Sequence, residues 1–81
     1  MSQQKKTHFE YYVEELLNVL PPLDHAKQYE VDRLVNSSHY TAPEIMSQRA
    51  YEVLLVLTPL LKGKEEECSA VFKKYFPVPV Q

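Results

Sequence analysis

Residues 51–61 limit the possible folds more than any other part of the chain, because this segment is apolar on almost every side. Tyr51 and Leu55 fall one helical turn apart on the side where a surface helix carries charge. The opposite side forms a broad apolar face on a helix with a period of 3.6 residues: Ala50, Val53, Leu54, Leu57, Leu60 and Leu61. Such a helix is either buried on both sides or uses its second side to contact a partner.

A β-strand is the local alternative, since periodicity alone does not separate the short apolar run at 53–57 from a buried helix. A helix is favoured because the pattern extends upstream through Met46 and Ala50, and no second strong strand candidate exists to pair with this run. Pro59 interrupts the pattern, because it lacks an N–H and clashes with the preceding turn. We expect a kink near residues 55–58, or a break with a short new turn starting at Pro59.

Two helices are predicted before this segment. Thr7 and Glu10 have the T-x-x-E spacing of a capping box, which begins the first helix, and Pro21 and Pro22 end it. Its predicted buried face consists of Phe9, Tyr12, Val13, Leu16, Leu17 and Leu20. The second helix begins at Asp24, a favourable N-cap, and is expected to end near residue 36, before a loop at 36–40. Its narrow apolar stripe consists of Val31, Leu34 and Val35.

The third helix is predicted to begin at Thr41, which forms the capping-box spacing again with Glu44. It is predicted to end at Gly63, the only glycine of the chain. The fourth helix is predicted over residues 64–76, with acidic residues in its first turn and Lys73 and Lys74 near its end. Its expected apolar face consists of Cys68, Val71, Phe72, Tyr75 and Phe76.

These segments predict an all-α fold, a small four-helix bundle with short loops in which the third helix is central. Residues 7–76 are expected to form one helical domain. Residues 1–6 are expected to be a disordered N-terminal tail, and residues 77–81 an extended C-terminal tail. A chain of 81 residues buries about 60–65% of its unfolded surface on folding, so its core is modest.

The net charge of −2 is spread evenly, and no basic block is longer than the pairs Lys5-Lys6 and Lys73-Lys74. This argues against nucleic acid and against a polybasic membrane anchor, because both need clustered cations. The polar N-terminus resembles no secretory signal, and no run approaches the roughly 20 apolar residues that span a bilayer. A single cysteine, Cys68, suits a reducing compartment. A cytoplasmic protein is therefore expected.

The sequence predicts neither an enzyme nor a metal or cofactor site. Cys68 is the only strong nucleophile, and its place on an apolar face favours a small core residue, although a helix N-terminus could lower its pKa. His8, His25 and His39 are too far apart in sequence to suggest a metal-ligand motif. The paired glutamates lie on outward faces, where solvation is the default.

A helix-turn-helix arrangement is the alternative that would give the chain a DNA-binding function. The second helix, the loop and the start of the third helix have that layout, and Gln48 and Arg49 could contact DNA. The candidate recognition helix becomes wholly apolar after Ala50, the surrounding charge is acidic, and the loop lacks the glycine often found there.

Exposed aromatic residues give the favoured functional prediction. Tyrosine combines apolar area with a polar tip and is enriched at protein interfaces. The predicted partner-binding residues project away from the core faces: Tyr51, Leu55, Tyr29, Tyr11 and Tyr40. The sequence thus predicts a non-enzymatic protein-interaction module, a small regulator, adaptor or inhibitor that binds a protein partner. A homodimer formed through the third helix is the simplest case.

Overall fold

The computed structural model describes residues 6–77 as a bundle of four α-helices with short connections, which confirms the all-α prediction. The helices are α1 (His8–Val19), α2 (His25–Ser38), α3 (Met46–Val56) and α4 (Glu65–Tyr75). Single 3-10 turns at Pro43–Ile45 and Thr58–Leu60 flank α3. Residues 1–5 and 78–81, which contain most of both predicted tails, lie outside the described part of the chain.

The capping box predicted for α1 is present. The Glu10 backbone N–H donates to Thr7 Oγ1 at 3.1 Å, and the Thr7 backbone N–H donates to Glu10 Oε1 at 2.8 Å. Because the second bond favours the ionised carboxylate, it lowers the pKa of Glu10. Leu20 caps the other end of the helix in an extended conformation, directly before Pro21.

The second helix is longer than predicted, because α2 continues through Ser37 and Ser38. Ser38 is buried, and its Oγ donates to the Val35 carbonyl at 2.6 Å. Serines that bond back to the preceding turn are compatible with helix, so the expected loop at 36–40 is reduced to the turn that follows Ser38.

The capping box predicted at the start of the third helix does not form. Thr41 Oγ1 donates instead to the Ser37 carbonyl at 2.8 Å, at the end of α2. The following turn, Pro43–Ile45, is a 3-10 helix whose N-cap, Ala42, makes no side-chain cap bond. α3 therefore begins at Met46, five residues after Thr41.

Pro59 breaks the predicted third helix. A break was one of the two expected alternatives, the other being a kink. α3 ends at Val56, and Pro59 lies in the first turn of the separate 3-10 helix Thr58–Leu60. Gly63 therefore does not cap α3. It has a φ of +83° and forms the left-handed turn that leads into α4. Its backbone N–H donates to Glu65 Oε1 at 2.9 Å.

The core is centred on α1 and reaches all four helices. Tyr12 is fully buried, and its hydroxyl donates to the Ala50 carbonyl of α3 at 2.7 Å. Burial raises the pKa of this hydroxyl. The buried apolar side chains of the described residues are Phe9, Tyr12, Val13, Leu16, Leu20, Val31, Ala50, Val53, Leu57 and Cys68. Since α3 also contacts α2 and α4, it touches each of the other helices.

The helices do not pack equally closely. α1 packs mainly against α4 and α2 mainly against α3, whereas α3 and α4 contact each other least extensively of these neighbours. A groove therefore remains between α3 and α4. Within residues 6–77, no helix is both long and apolar enough to cross a bilayer.

Candidate interaction surface

Tyr51 and Leu55 lie on the outer face of α3, away from the core. Each is 54% exposed, although α3 buries Ala50 and Val53 on its opposite side. Their spacing of four residues places them one above the other on the same face of the helix. The second side of this helix is thus not covered within the described chain.

The α3–α4 groove lies beside these residues and consists of two adjoining cavities. The larger cavity, about 480 Å³, is lined by Ser47, Gln48, Tyr51, Glu52, Phe72, Phe76 and Pro77. The smaller cavity, about 190 Å³, is lined by Tyr51, Leu54, Leu61, Glu65, Cys68, Ser69 and Phe72. Tyr51 and Phe72 line both cavities, so the groove is continuous past this aromatic pair.

Aromatic contacts hold the α4 wall of the groove in place. The Tyr51 and Phe72 rings meet almost at right angles, with centroids 6.5 Å apart. Phe72 also contacts Tyr12 and Phe76, at 6.1 Å and 5.9 Å between centroids. The contacts of Phe72 with Tyr51 and Tyr12 are edge-to-face and the one with Phe76 is tilted by 42°, and together they limit the orientation of the Phe72 ring. The groove wall is therefore supported by the buried core.

Phe72 and Phe76 are the surface residues that the sequence analysis missed. Both were assigned to the buried face of the fourth helix, yet both remain partly exposed and line the groove. The helical pattern shows that they lie on the apolar side of α4. It contains no information on how closely α3 approaches that side, so it could not show that their edges stay accessible.

The other three predicted partner-binding residues lie elsewhere. Tyr11 is on α1, Tyr29 on α2 and Tyr40 in the turn after α2, with exposed fractions of 50%, 65% and 92%. Lys6 Nζ lies 5.9 Å from the centre of the Tyr11 ring. No ring contact among the described residues joins any two of the four predicted tyrosines. Tyr51 and Leu55 are the two that lie one turn apart on the same helix.

The outer face of α4 borders the same groove. It is lined by Glu65, Glu66, Ser69, Ala70 and Lys73, and Ser69 belongs both to this face and to the groove. Several neighbouring charges are already engaged: Glu65 accepts from the Gly63 N–H, and Lys74 donates to Glu15 at 2.8 Å. Within residues 6–77, neither Glu66 nor Lys73 forms a salt bridge.

Cys68 lies at the bottom of the groove and is almost fully buried, at 1% exposure. Burial raises the pKa of its thiol, and the nearby carboxylates of Glu67 and Glu65 raise it further. The thiolate is therefore disfavoured, and Cys68 acts as an apolar floor for the groove rather than as a poised nucleophile. Among residues 6–77, no cluster of three or more candidate metal ligands is present.

The two residues considered for DNA contact have different surroundings. Gln48 is exposed and lines the groove. Arg49 is partly buried beside α2, where it lines a cavity with Glu30 and Leu34, and its Nη1 donates to Glu52 Oε2 at 2.8 Å. Its charge is therefore already paired within the protein.

No protein-family model, curated protein or solved structure matches the chain.

Proposed function

We propose that this chain is a non-enzymatic protein-interaction module, a small regulator, adaptor or inhibitor, that self-associates through the outer face of α3. The observation that carries the proposal is the position of Tyr51 and Leu55, each 54% exposed, beside the α3–α4 groove. Single exposed apolar side chains are ordinary on protein surfaces. Two of them beside an apolar groove form a contiguous patch, and such patches mark sites of protein association.

The composition of the patch suits a docking site. Tyr51 supplies an aromatic ring that is already oriented by Phe72, so little conformational freedom is lost when a partner covers it. Leu55 projects beyond the groove and is 54% exposed, so its full burial would gain roughly half of the 1.5–3 kcal/mol for a whole leucine side chain. Rigid aromatic anchors beside apolar pockets are the usual centres of binding energy in protein interfaces.

Leu55→Asp is the direct test of self-association. A carboxylate at this position would be desolvated in the interface without a partner charge, so we expect the dimer dissociation constant to rise at least about tenfold. The fold should persist, because the Leu55 side chain is more than half exposed in a single copy. Sedimentation velocity over a concentration series measures the association, and far-UV circular dichroism checks the helix content.

Ala26→Asp is the matched control, because it adds the same charge at an exposed position of α2 outside the patch. This variant should associate like the wild type. If the wild type and Leu55→Asp sediment as the same monomer at every concentration, self-association through α3 is rejected.

A further inference from the structure

We propose that the second copy docks with its α3 and α4 antiparallel to those of the first, about a two-fold axis that pairs Glu66 with Lys73 and Tyr51 with Leu55 across the interface. This inference rests on the proposed function and adds the orientation and register of the pair. It follows from the charge pattern of α4, the apolar pattern of α3 and the relative heights of the two helices.

The Glu66 and Lys73 charges on the outer face of α4 meet opposite charges when a second copy of α4 runs in the opposite direction. Glu66 and Lys73 are two helical turns apart on this face, with the small residues Ser69 and Ala70 between them. In an antiparallel pair, each Glu66 would face Lys73 of the other copy. In a parallel pair, Glu66 would face Glu66 and Lys73 would face Lys73, which like-charge repulsion disfavours.

The apolar residues on the outer face of α3 also pair with each other when a second copy of α3 runs in the opposite direction. An antiparallel pair centred on Val53 would place Tyr51 of each copy against Leu55 of the other. Every such contact occurs twice, as a two-fold interface requires. A closed pair is therefore expected, in contrast to the open filaments that head-to-tail contacts produce.

One two-fold axis can serve both helices because the midpoint of each pair of residues lies at the same position along the bundle. Gln48 lines a cavity with Phe76, the Tyr51 ring contacts Phe72, and Leu54 lines a cavity with Cys68. These pairings show that α3 and α4 run antiparallel to each other within one copy, with Tyr51 level with Phe72.

The heights follow from the rise of about 1.5 Å per helical residue. The midpoint of Tyr51 and Leu55 is Val53, about 3 Å along α3 from the level of Tyr51. The midpoint of Glu66 and Lys73 lies between Ser69 and Ala70, about 4 Å from the level of Phe72 in the same direction. The two midpoints therefore differ by only about 1 Å, and a single axis satisfies both helices.

The occupant is a second copy because the patch supplies both halves of each pairing. Among residues 6–77, Glu66 and Lys73 are the charges of the outer face of α4 that have no hydrogen-bond or ion-pair partner, and their signs are opposite; the third charge, Glu65, accepts the Gly63 N–H. The apolar residues of the patch on α3 are an aromatic ring and a leucine one turn away. Neighbouring charges do not disturb this pattern, since Glu52 pairs with Arg49, and Glu67 lies 3.8 Å from Lys64.

The test uses two charge reversals, Glu66→Lys and Lys73→Glu, in the full chain. Each variant alone places like charges at both pairing points of its homodimer, so its dissociation constant should rise at least about tenfold. An equimolar mixture of the two variants restores an opposite pair at both points. Its association should return to within about threefold of the wild type, as a heterodimer.

Glu67→Lys serves as the control for helix stability. It makes the same charge change in the first turn of α4 but lies outside the outer face defined above. It should dimerise like the wild type, and circular dichroism should show all variants folded. Sedimentation velocity, with one variant carrying a fluorescent label in the mixture, measures each arm.

The outcomes separate the orientation from the proposed function. If Leu55→Asp weakens the dimer but neither charge reversal does, or if the mixture fails to recover, the antiparallel register is overturned and self-association stands. If the wild type is monomeric at every concentration, both are overturned.

Discussion

At the scale of single residues, Tyr12 connects α1 to both α3 and α4. Its ring is fully buried and contacts Phe72, which forms the wall of the α3–α4 groove, while its hydroxyl bonds to the Ala50 carbonyl of α3. One side chain on α1 thus contacts both helices that border the candidate interaction surface. The position of the groove depends on a residue that does not line it.

Tyr12→Phe should lower the free energy of unfolding by about 0.5–1.5 kcal/mol, because it removes one buried hydrogen bond and keeps the apolar ring. Urea denaturation followed by circular dichroism measures this change. Tyr29→Phe makes the same chemical change at an exposed position and should cost less than about 0.5 kcal/mol. Equal costs for the two variants would contradict the role assigned to the Tyr12 hydroxyl.

The exposure of individual residues was only partly predictable. Tyr51 and Leu55 stand on the side of their own helix opposite its apolar face, so helical periodicity was enough to place them outside the core. Phe72 and Phe76 lie on the apolar side of α4, and their partial exposure depends on the distance between two helices. A pattern within one helix contains no information about that distance.

At the scale of elements, the third helix shows how local signals succeed and fail. Thr7 and Thr41 have the same spacing to a glutamate, yet only Thr7 forms a capping box. Thr41 lies three residues after the end of α2, and its hydroxyl donates instead to the Ser37 carbonyl in the last turn of that helix. Pro59 acts locally on the backbone, so the sequence alone predicted either a kink or a break of the helix. The break is observed.

Gly63 is the backbone position on which α4 depends. Its φ of +83° lies in the left-handed region, and a Cβ added there would have no atom within 4 Å, so substitution affects only the backbone. Gly63→Ala should therefore lower the free energy of unfolding by about 1–2 kcal/mol. Gly63→Asn should cost less, because asparagine adopts this conformation more readily. Urea denaturation measures both, and equal stability of all three proteins would contradict this assignment.

At the scale of the whole molecule, the first and last helices close the bundle on each other. Glu15 of α1 accepts hydrogen bonds from Lys74 Nζ at 2.8 Å and Tyr75 Oη at 2.9 Å, and the His8 ring Nε2 lies 2.6 Å from the Tyr75 carbonyl oxygen. The Phe9 and Phe76 rings also meet, with centroids 6.2 Å apart. None of these pairings was predicted, because residues about sixty positions apart meet only after the global arrangement is set.

Acid should weaken this closure. Hydrogen bonds from Lys74 and Tyr75 lower the pKa of Glu15 from its usual value of 4.5. A carboxyl with a lower pKa in the folded state stabilises the fold above about pH 4.5, and this contribution is lost as the pH falls through the folded value. The free energy of unfolding should therefore fall on acidification below pH 4.5. It should fall less steeply in Glu15→Gln, because an amide does not titrate.

Urea denaturation between pH 7 and pH 3 compares the two proteins, at roughly one-unit steps across the range where carboxyl groups titrate. A Glu15→Gln variant with the same acid dependence as the wild type would show that the pairing does not contribute to pH-dependent stability.

The pairing of α1 with α4 also has a consequence during protein synthesis. The ribosome makes α1 first, but the rings that cover Phe9 and Tyr12 belong to Phe72, Tyr75 and Phe76. The α4 side of the cover over the apolar face of α1 is therefore missing until nearly the whole domain has emerged from the exit tunnel. Such non-local closure delays folding until after translation of α4, and the nascent chain is exposed to aggregation or chaperone binding throughout that interval.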